Sequence, residues 1–328
     1  MADDKSWKLL EKVLLAGLQE QRRARRWGIF FKLLTFIYLI GALLVFSPAL
    51  GTLGGASGGP LGGILGTSNA KSESHTAVIE LNGAIAADGQ ASADQIVGSL
   101  RRAFKDPGTK GVVLRINSPG GSPVQSGYIY DEIRRLRTKY PDIKLYAVIT
   151  DMGASGAYYI ASAADAIYAD KASLVGSIGV TAAGFGFVDT MEKLGVERRT
   201  YTAGAHKSFL DPFQPQKDDE TAFWQQVLGT VHQQFIDSVK TGRGDRLKDA
   251  EHPELFSGLI WSGEQALQLG LIDAFGNTSQ VAREIVGEET MRSFTRKPSP
   301  IERLTRQLGA SVADRLALQM GLPAPALQ

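Results

Sequence analysis

The sequence predicts an α/β domain built on a mostly parallel sheet. Short apolar runs such as VVLRI and LYAVIT alternate with stretches whose apolar residues recur at helical spacing. Strands that are apolar throughout suit a sheet covered on both faces, and their alternation with helices suits parallel crossovers. The chain has no cysteine, which excludes a disulfide framework, a Cys-based zinc site and a cysteine nucleophile. Stability must come from a core, which 328 residues can supply.

The N-terminal segment, residues 1–27, carries Trp7, Leu10, Leu14 and Leu18 at helical spacing and ends in Arg22, Arg23, Arg25 and Arg26. Residues 28–50 hold one charge, Lys32, and at about 1.5 Å per residue are long enough to cross a hydrocarbon core of about 30 Å. A single transmembrane anchor is expected there. The arginine cluster puts the N-terminus in the cytoplasm and the rest of the chain on the far side. A cleaved signal peptide and a buried core helix are the competing readings. Residues 51–75 are too rich in glycine to pack and read as a flexible tether.

The main domain is expected over residues 76–290. Strands are expected at 76–81, 111–116, 144–150, 166–168 and 196–201, and helices at 91–104, 124–139, 155–164, 219–239, 263–269 and 278–285. A C-terminal extension, 291–328, has Leu304, Leu308, Val312 and Leu316 at helical spacing, which predicts a helix over 301–317. The charge is uneven. Residues 1–32 hold 8 Lys/Arg against 4 Asp/Glu, leaving 28 basic and 30 acidic residues beyond them. Without a basic surplus in the main domain, a nucleic-acid partner is not expected.

Parallel sheets bind ligands beyond the C-terminal ends of their strands, where two loops stand out. N-S-P-G-G-S-P at 117–123 has adjacent glycines that can expose backbone amides to an oxyanion or a phosphate, but it lacks the lysine and spacing of a P-loop. D-M-G-A-S-G-A at 151–157 presents Ser155 between small residues at a helix start, though small residues also mark close helix packing. It departs from the G-x-S-x-G elbow at Ala157. The histidines are His75, at the tether's end, His206, His232, inside a helix, and His252. His206 or His252 can serve as base for a serine, although neither has a recognisable orienting carboxylate in its sequence context. A lysine such as Lys207 can serve instead if burial makes it shed its proton near neutrality.

Five motifs in a fixed order then carry a resemblance: RINSPGG at 115–121, DMGASGAYYIASAAD at 151–165, LVGSIGV at 174–180, AGAHK at 203–207 and SGLIWSGEQALQLGLIDAFG at 257–276. Together they resemble the bacterial signal peptide peptidases of the SppA type in their single-domain form. The resemblance implies a ClpP/crotonase-like spiral of β-β-α units and a Ser/Lys dyad of Ser155 and Lys207. It also implies that Ser177 holds the lysine and that the backbone amide of Gly121 is an oxyanion donor, with Gly156 as a plausible second. An acidic residue often follows the base in this family, whereas Ser208 stands here.

The activity implied is a serine endopeptidase of the cell membrane that needs no metal or cofactor. Its substrates would be apolar peptides such as cleaved signal peptides, met at the lipid bilayer, with the protease domain periplasmic or extracellular. Members form rings, and single-domain forms resemble octameric domes, so a homo-oligomer is expected, in which serine and lysine can come from adjacent protomers. A nonproteolytic membrane scaffold of the same fold and an acyl-CoA enzyme of crotonase type are the other classes open to the sequence.

Overall fold

The computed structural model describes Trp27, residues 30–39 and residues 73–296. The chain divides into two units, Met1–Asn69 and Ala70–Gln328. In the first, residues 30–39 are helical, and the rings of Trp27, Phe30 and Phe31 lie 5.7 to 5.8 Å apart. Among the described residues no helix is long and apolar enough to cross a membrane. Most of the expected anchor, nearly all of the tether, the helical pattern of Trp7 to Leu18 and the expected helix at 301–317 lie outside the described residues.

In the second unit the elements run β1 (His75–Asn82), α1 (Ala93–Lys105), β2 (Thr109–Ser118), α2 (Pro123–Lys139), β3 (Lys144–Ala154), α3 (Gly156–Ala161), β4 (Ala166–Ala169) and β5 (Leu174–Gly176). They continue with α4 (Val188–Lys193), α5 (Asp218–Arg243), β6 (Ile260–Ser262), α6 (Gly263–Gln268), β7 (Ala274–Phe275), α7 (Thr278–Gln280) and β8 (Met291–Ser293). The eight strands form one sheet, and every pairing is parallel except that of β5 with β6.

β3 forks. Its first half, from Tyr146 to Ile149, pairs with β4, and its last three residues, Met152, Gly153 and Ala154, pair with Leu174, Val175 and Gly176 of β5. Ala77, Ile79 and Leu81 of β1 join Leu114 and Ile116 of β2 in one core with Ile96, Leu100 and Phe104 of α1 and Ile129 and Ile133 of α2. The helical residues recur every three or four positions, so each helix buries one face. α2 starts where it does because Ser122 accepts from the Gln125 N–H and Pro123 follows it. The opposite sheet face is covered by a smaller cluster of Val113, Val148 and Val281.

The sequence expectation fails at three places in this unit. Residues 291–293, expected in the C-terminal extension beyond the main domain, form β8 and pair with Thr76, Ala77 and Val78 of β1. Residues 196–201 form no strand: they are exposed and have no neighbouring strand to complete a ladder, which β propensity alone cannot replace. His75 does not belong to the tether. It is the first residue of β1, 3% exposed, with Nδ1 2.9 Å from the Glu73 carbonyl oxygen. The short strands β5 to β8, at two or three residues each, carry too little periodicity to be read from sequence.

α1 and α2 are tied by Glu132, a buried carboxylate that accepts from Arg135 Nη2 at 2.6 Å on its own helix and from Arg101 Nε at 2.7 Å on α1. Hydrogen bonds from Arg135 and then Arg101 hold its carboxyl down to about 2, against the opposing effect of burial. A depressed folded-state value stabilises the protein above the ordinary carboxylate range, and that contribution is lost as pH falls toward the folded value. Urea unfolding between pH 5 and 2 is therefore expected to show falling stability, with Glu132→Gln flattening the fall. At neutral pH the substitution is expected to cost about 1–2 kcal/mol.

Candidate active site

The fork in β3 builds the site. One residue past the Ala154–Gly176 pair, the Ser155 N–H donates to the Gly176 carbonyl at 2.8 Å, and the Ser177 N–H donates to Leu259 O at 2.8 Å. Ser155 follows the last residue of β3 and is the N-cap of α3, with φ 53° and ψ −126°. Ser177 has φ 52°. Both are left-handed conformations that side chains other than glycine's adopt only under strain, and such strain gathers at functional sites. An N-cap serine ordinarily spends its hydroxyl on the helix, but Ser155 makes no capping bond. Among the described residues neither serine hydroxyl has a hydrogen-bond partner.

The glycine loop packs against this turn at a distance only glycine allows. A Cβ on Gly120, whose φ is +94°, would lie 2.7 Å from Ala154 O, Gly156 N and Ser155 Cβ. Gly121 bridges to Ile85 through bonds from Ile85 N–H to Gly120 O at 2.9 Å and from Ser122 N–H to Ile85 O at 2.8 Å. Neither bond uses the Gly121 N–H. A Cβ on Gly156 would lie 3.4 Å from that nitrogen and would collide with Ser126 Oγ. The Gly156 N–H is the first of α3, where a helix has no carbonyl of its own to offer. Two backbone donors thus sit beside Ser155, which is the chemistry an oxyanion needs.

Ser155, Ser177, Gly121 and Gly156 line one cleft of ≈ 790 Å³. Successive turns of α2 form one wall, through Val124, Tyr128 and Asp131. Tyr159 and Phe235 line it too, their rings 5.1 Å apart and Tyr159 also 5.1 Å from Tyr130. These wall residues were not visible as site residues in the sequence. The one signal was Val124, Tyr128 and Asp131 at spacing four and three, apolar or aromatic positions sharing a helix face with a charge.

Lys207 is not brought to this cleft. It is exposed, in a segment from Thr181 to Asp219 in which no residue is buried. That arm has internal order: Arg198 pairs with Asp211 at 2.9 Å and lies over the Phe213 ring, which stacks on Phe187. Next to Lys207, His206 Nδ1 lies 3.2 Å from Glu220 Oε1, which also accepts from Lys217 Nζ at 3.0 Å. The Lys217 and His206 bonds lower the Glu220 carboxyl. Ser208, where an acidic residue was expected, donates to Gln214 Oε1 at 3.1 Å.

The histidines are otherwise engaged. His206 and His252 both have carboxylate neighbours that the sequence did not reveal, Glu220 and Glu254, the latter at 3.1 Å. His232 Nε2 lies 3.1 Å from Ile178 O, so that nitrogen carries the proton and ties α5 to the residue after Ser177. None of the four histidines lines the cleft.

A model described as peptidase family S49 matches residues 137–291. The chain is 44% identical over 222 residues to a Brucella abortus protein named Na(+)/H(+) antiporter NhaA, a match that covers 66% of this chain and 30% of that one. It is 30% identical over 225 residues to an Enterococcus faecium protein provisionally named signal peptide peptidase SppA, covering 66% of this chain and 64% of that one. With a Synechocystis protein provisionally named a protease it shares 32% identity over 206 residues, 63% of this chain and 71% of the other. The chain thus spans under a third of the Brucella protein and under two thirds of the Enterococcus one.

The strained turn makes its own stability prediction. Glycine adopts the Ser155 conformation without a Cβ penalty, so Ser155→Gly is expected to unfold later than Ser155→Ala by about 1–2 kcal/mol. Equal denaturant midpoints for the two variants would mean that the turn holds no strain.

Proposed function

The chain belongs to peptidase family S49, and from that membership we propose that it is a membrane-anchored serine endopeptidase of the SppA type acting through a Ser155/Lys207 dyad. The observation that carries the reading is Ser155 itself: an unbonded hydroxyl on a strained strand-to-helix turn, beside the unused N–H groups of Gly121 and Gly156.

In the proposed reaction neutral Lys207 takes the proton of Ser155 Oγ as that oxygen attacks the scissile carbonyl. The oxyanion is held by the Gly121 and Gly156 amides, each such donor being worth about 2.7–4 kcal/mol in comparable hydrolases. The lysine ammonium then protonates the departing amine, leaving an ester on Ser155. Water, deprotonated by the same lysine, hydrolyses the ester and restores the serine. Ser177, one residue beyond the strand that holds Ser155, accepts from or donates to the lysine and orients it.

Because Lys207 is exposed in a lone chain, its place at Ser155 is supplied in this reading by a neighbouring copy. Apolar side chains exposed on the arm, among them Phe185, Leu194 and Tyr201, suit such a contact. The assembly is a ring, an octamer of spiral-fold protomers. The anchor at 28–50 fixes the protein in the bacterial cell membrane with its N-terminus in the cytoplasm and the catalytic unit outside. There the apolar cleft meets apolar peptides such as cleaved signal peptides at the lipid surface.

A serine-directed phosphonate is expected to label the full-length protein and to fail with Ser155→Ala and Lys207→Ala. Absence of labelling in the unaltered protein would favour a scaffold that uses Ser155 for packing alone. Each single variant is expected to be inactive by itself. When the two are co-assembled, peptide hydrolysis is expected to return, because some sites then combine an intact Ser155 with an intact Lys207 from the neighbour. No recovery in verified mixed assemblies would place both residues of the dyad on one chain.

A further inference from the structure

Nineteen residues line the Ser155 cleft, and Asp131 is the one among them with a formal charge at neutral pH. The same lining holds the apolar and aromatic side chains of Val124, Tyr128, Tyr159, Val231 and Phe235 beside the neutral polar ones of Thr181, Gln234 and Ser257. Among the described residues Asp131 has no ion-pair partner. Arg134 lies three positions on along α2 without pairing to it, and Arg135 is taken by Glu132. From this we infer that Asp131 is a specificity-determining residue that selects apolar peptides carrying a lysine or arginine. The inference rests on the peptidase reading of Ser155.

The position of Asp131 sets where that cation must be. α2 begins at Pro123, two residues after Gly121, and turns Val124, Tyr128 and Asp131 toward the same cleft. Eight residues of helix at about 1.5 Å each put Asp131 about 12 Å from the donor end of the cleft. An extended peptide advances about 3.3 Å per residue, so the carboxylate stands three or four residues from the scissile bond.

Two effects favour a basic residue there. A peptide lying in the cleft displaces water and lowers the local dielectric, which strengthens the attraction between Asp131 and an ammonium or guanidinium. A neutral apolar residue in the same place strips water from the carboxylate and returns nothing, and an acidic one adds repulsion. Signal peptides join a basic segment directly to an apolar one. A cut three or four residues from a lysine or arginine falls near that junction.

The test uses the full-length protein in detergent and a series of apolar peptides with Lys, Ala or Glu scanned through every position. The unaltered protein is expected to show kcat/KM about tenfold higher for Lys than for Glu at the third or fourth residue from the bond, with the ratio shrinking in 1 M salt. Asp131→Asn is expected to bring that ratio close to one, and Asp131→Lys to invert it. Each ratio is internal to one variant, so a general loss of activity does not disturb it. Cleavage by the unaltered protein with no dependence on charge at any position overturns the role of Asp131 while leaving the peptidase intact. No cleavage of any peptide overturns the peptidase reading and this inference with it.

Discussion

The backbone pairing at the end of β3 is the constraint on which the site depends. Had β3 stayed with β4 along its whole length, the chain would leave the sheet as an ordinary strand-to-helix turn. Instead its last three residues cross to β5, and the bond from Ser155 N–H to Gly176 O completes the transfer. That bond fixes the backbone of Ser155 and, through register, brings Ser177 alongside it. Both serines take left-handed φ values, each at the residue that follows the Ala154–Gly176 pair on its own strand.

Strain of that kind persists only where the surroundings leave the chain no alternative. Here the surroundings are the glycine loop on one side and the α3 core on the other. Gly120 presses against the Ser155 turn more closely than any side chain would allow, and Gly121 is held by its bridge to Ile85. On the other side Tyr158, fully buried, donates its hydroxyl to Leu271 O at 2.7 Å and anchors α3 from below. Burial pushes its phenol up, so that the hydroxyl stays a donor. Arg243, buried beside it, pairs with Asp273 at 2.8 Å and closes the same region.

The long strands and amphipathic helices were legible in the sequence because their periodicity is local. The expected ranges at 111–116, 124–139 and 144–150 fall within β2, α2 and β3. Ser155, Ser177, Gly121 and Gly156 were legible only through a family pattern, since glycine pairs and small-residue runs are ambiguous taken singly. What stayed hidden is non-local. The fork of β3 depends on β5, three residues whose composition says nothing about partners. The cleft wall depends on which face of α2 remains uncovered after the core forms, and the Glu220 contact to His206 spans 14 positions. The strand expected at 196–201 failed for the same reason in reverse: its composition suited a sheet, but the segment is exposed and pairs with no strand.

The arm from Thr181 to Asp219 contributes no buried residue to the domain that carries it. Its substitutions therefore leave the folding equilibrium of that domain nearly untouched, whatever they do elsewhere. A variant library of the lone chain sorted by melting temperature or by soluble yield would pass a change at the exposed Lys207 as silent. Variation in this stretch has to be judged by a readout other than folding, and tolerance here carries no information about importance.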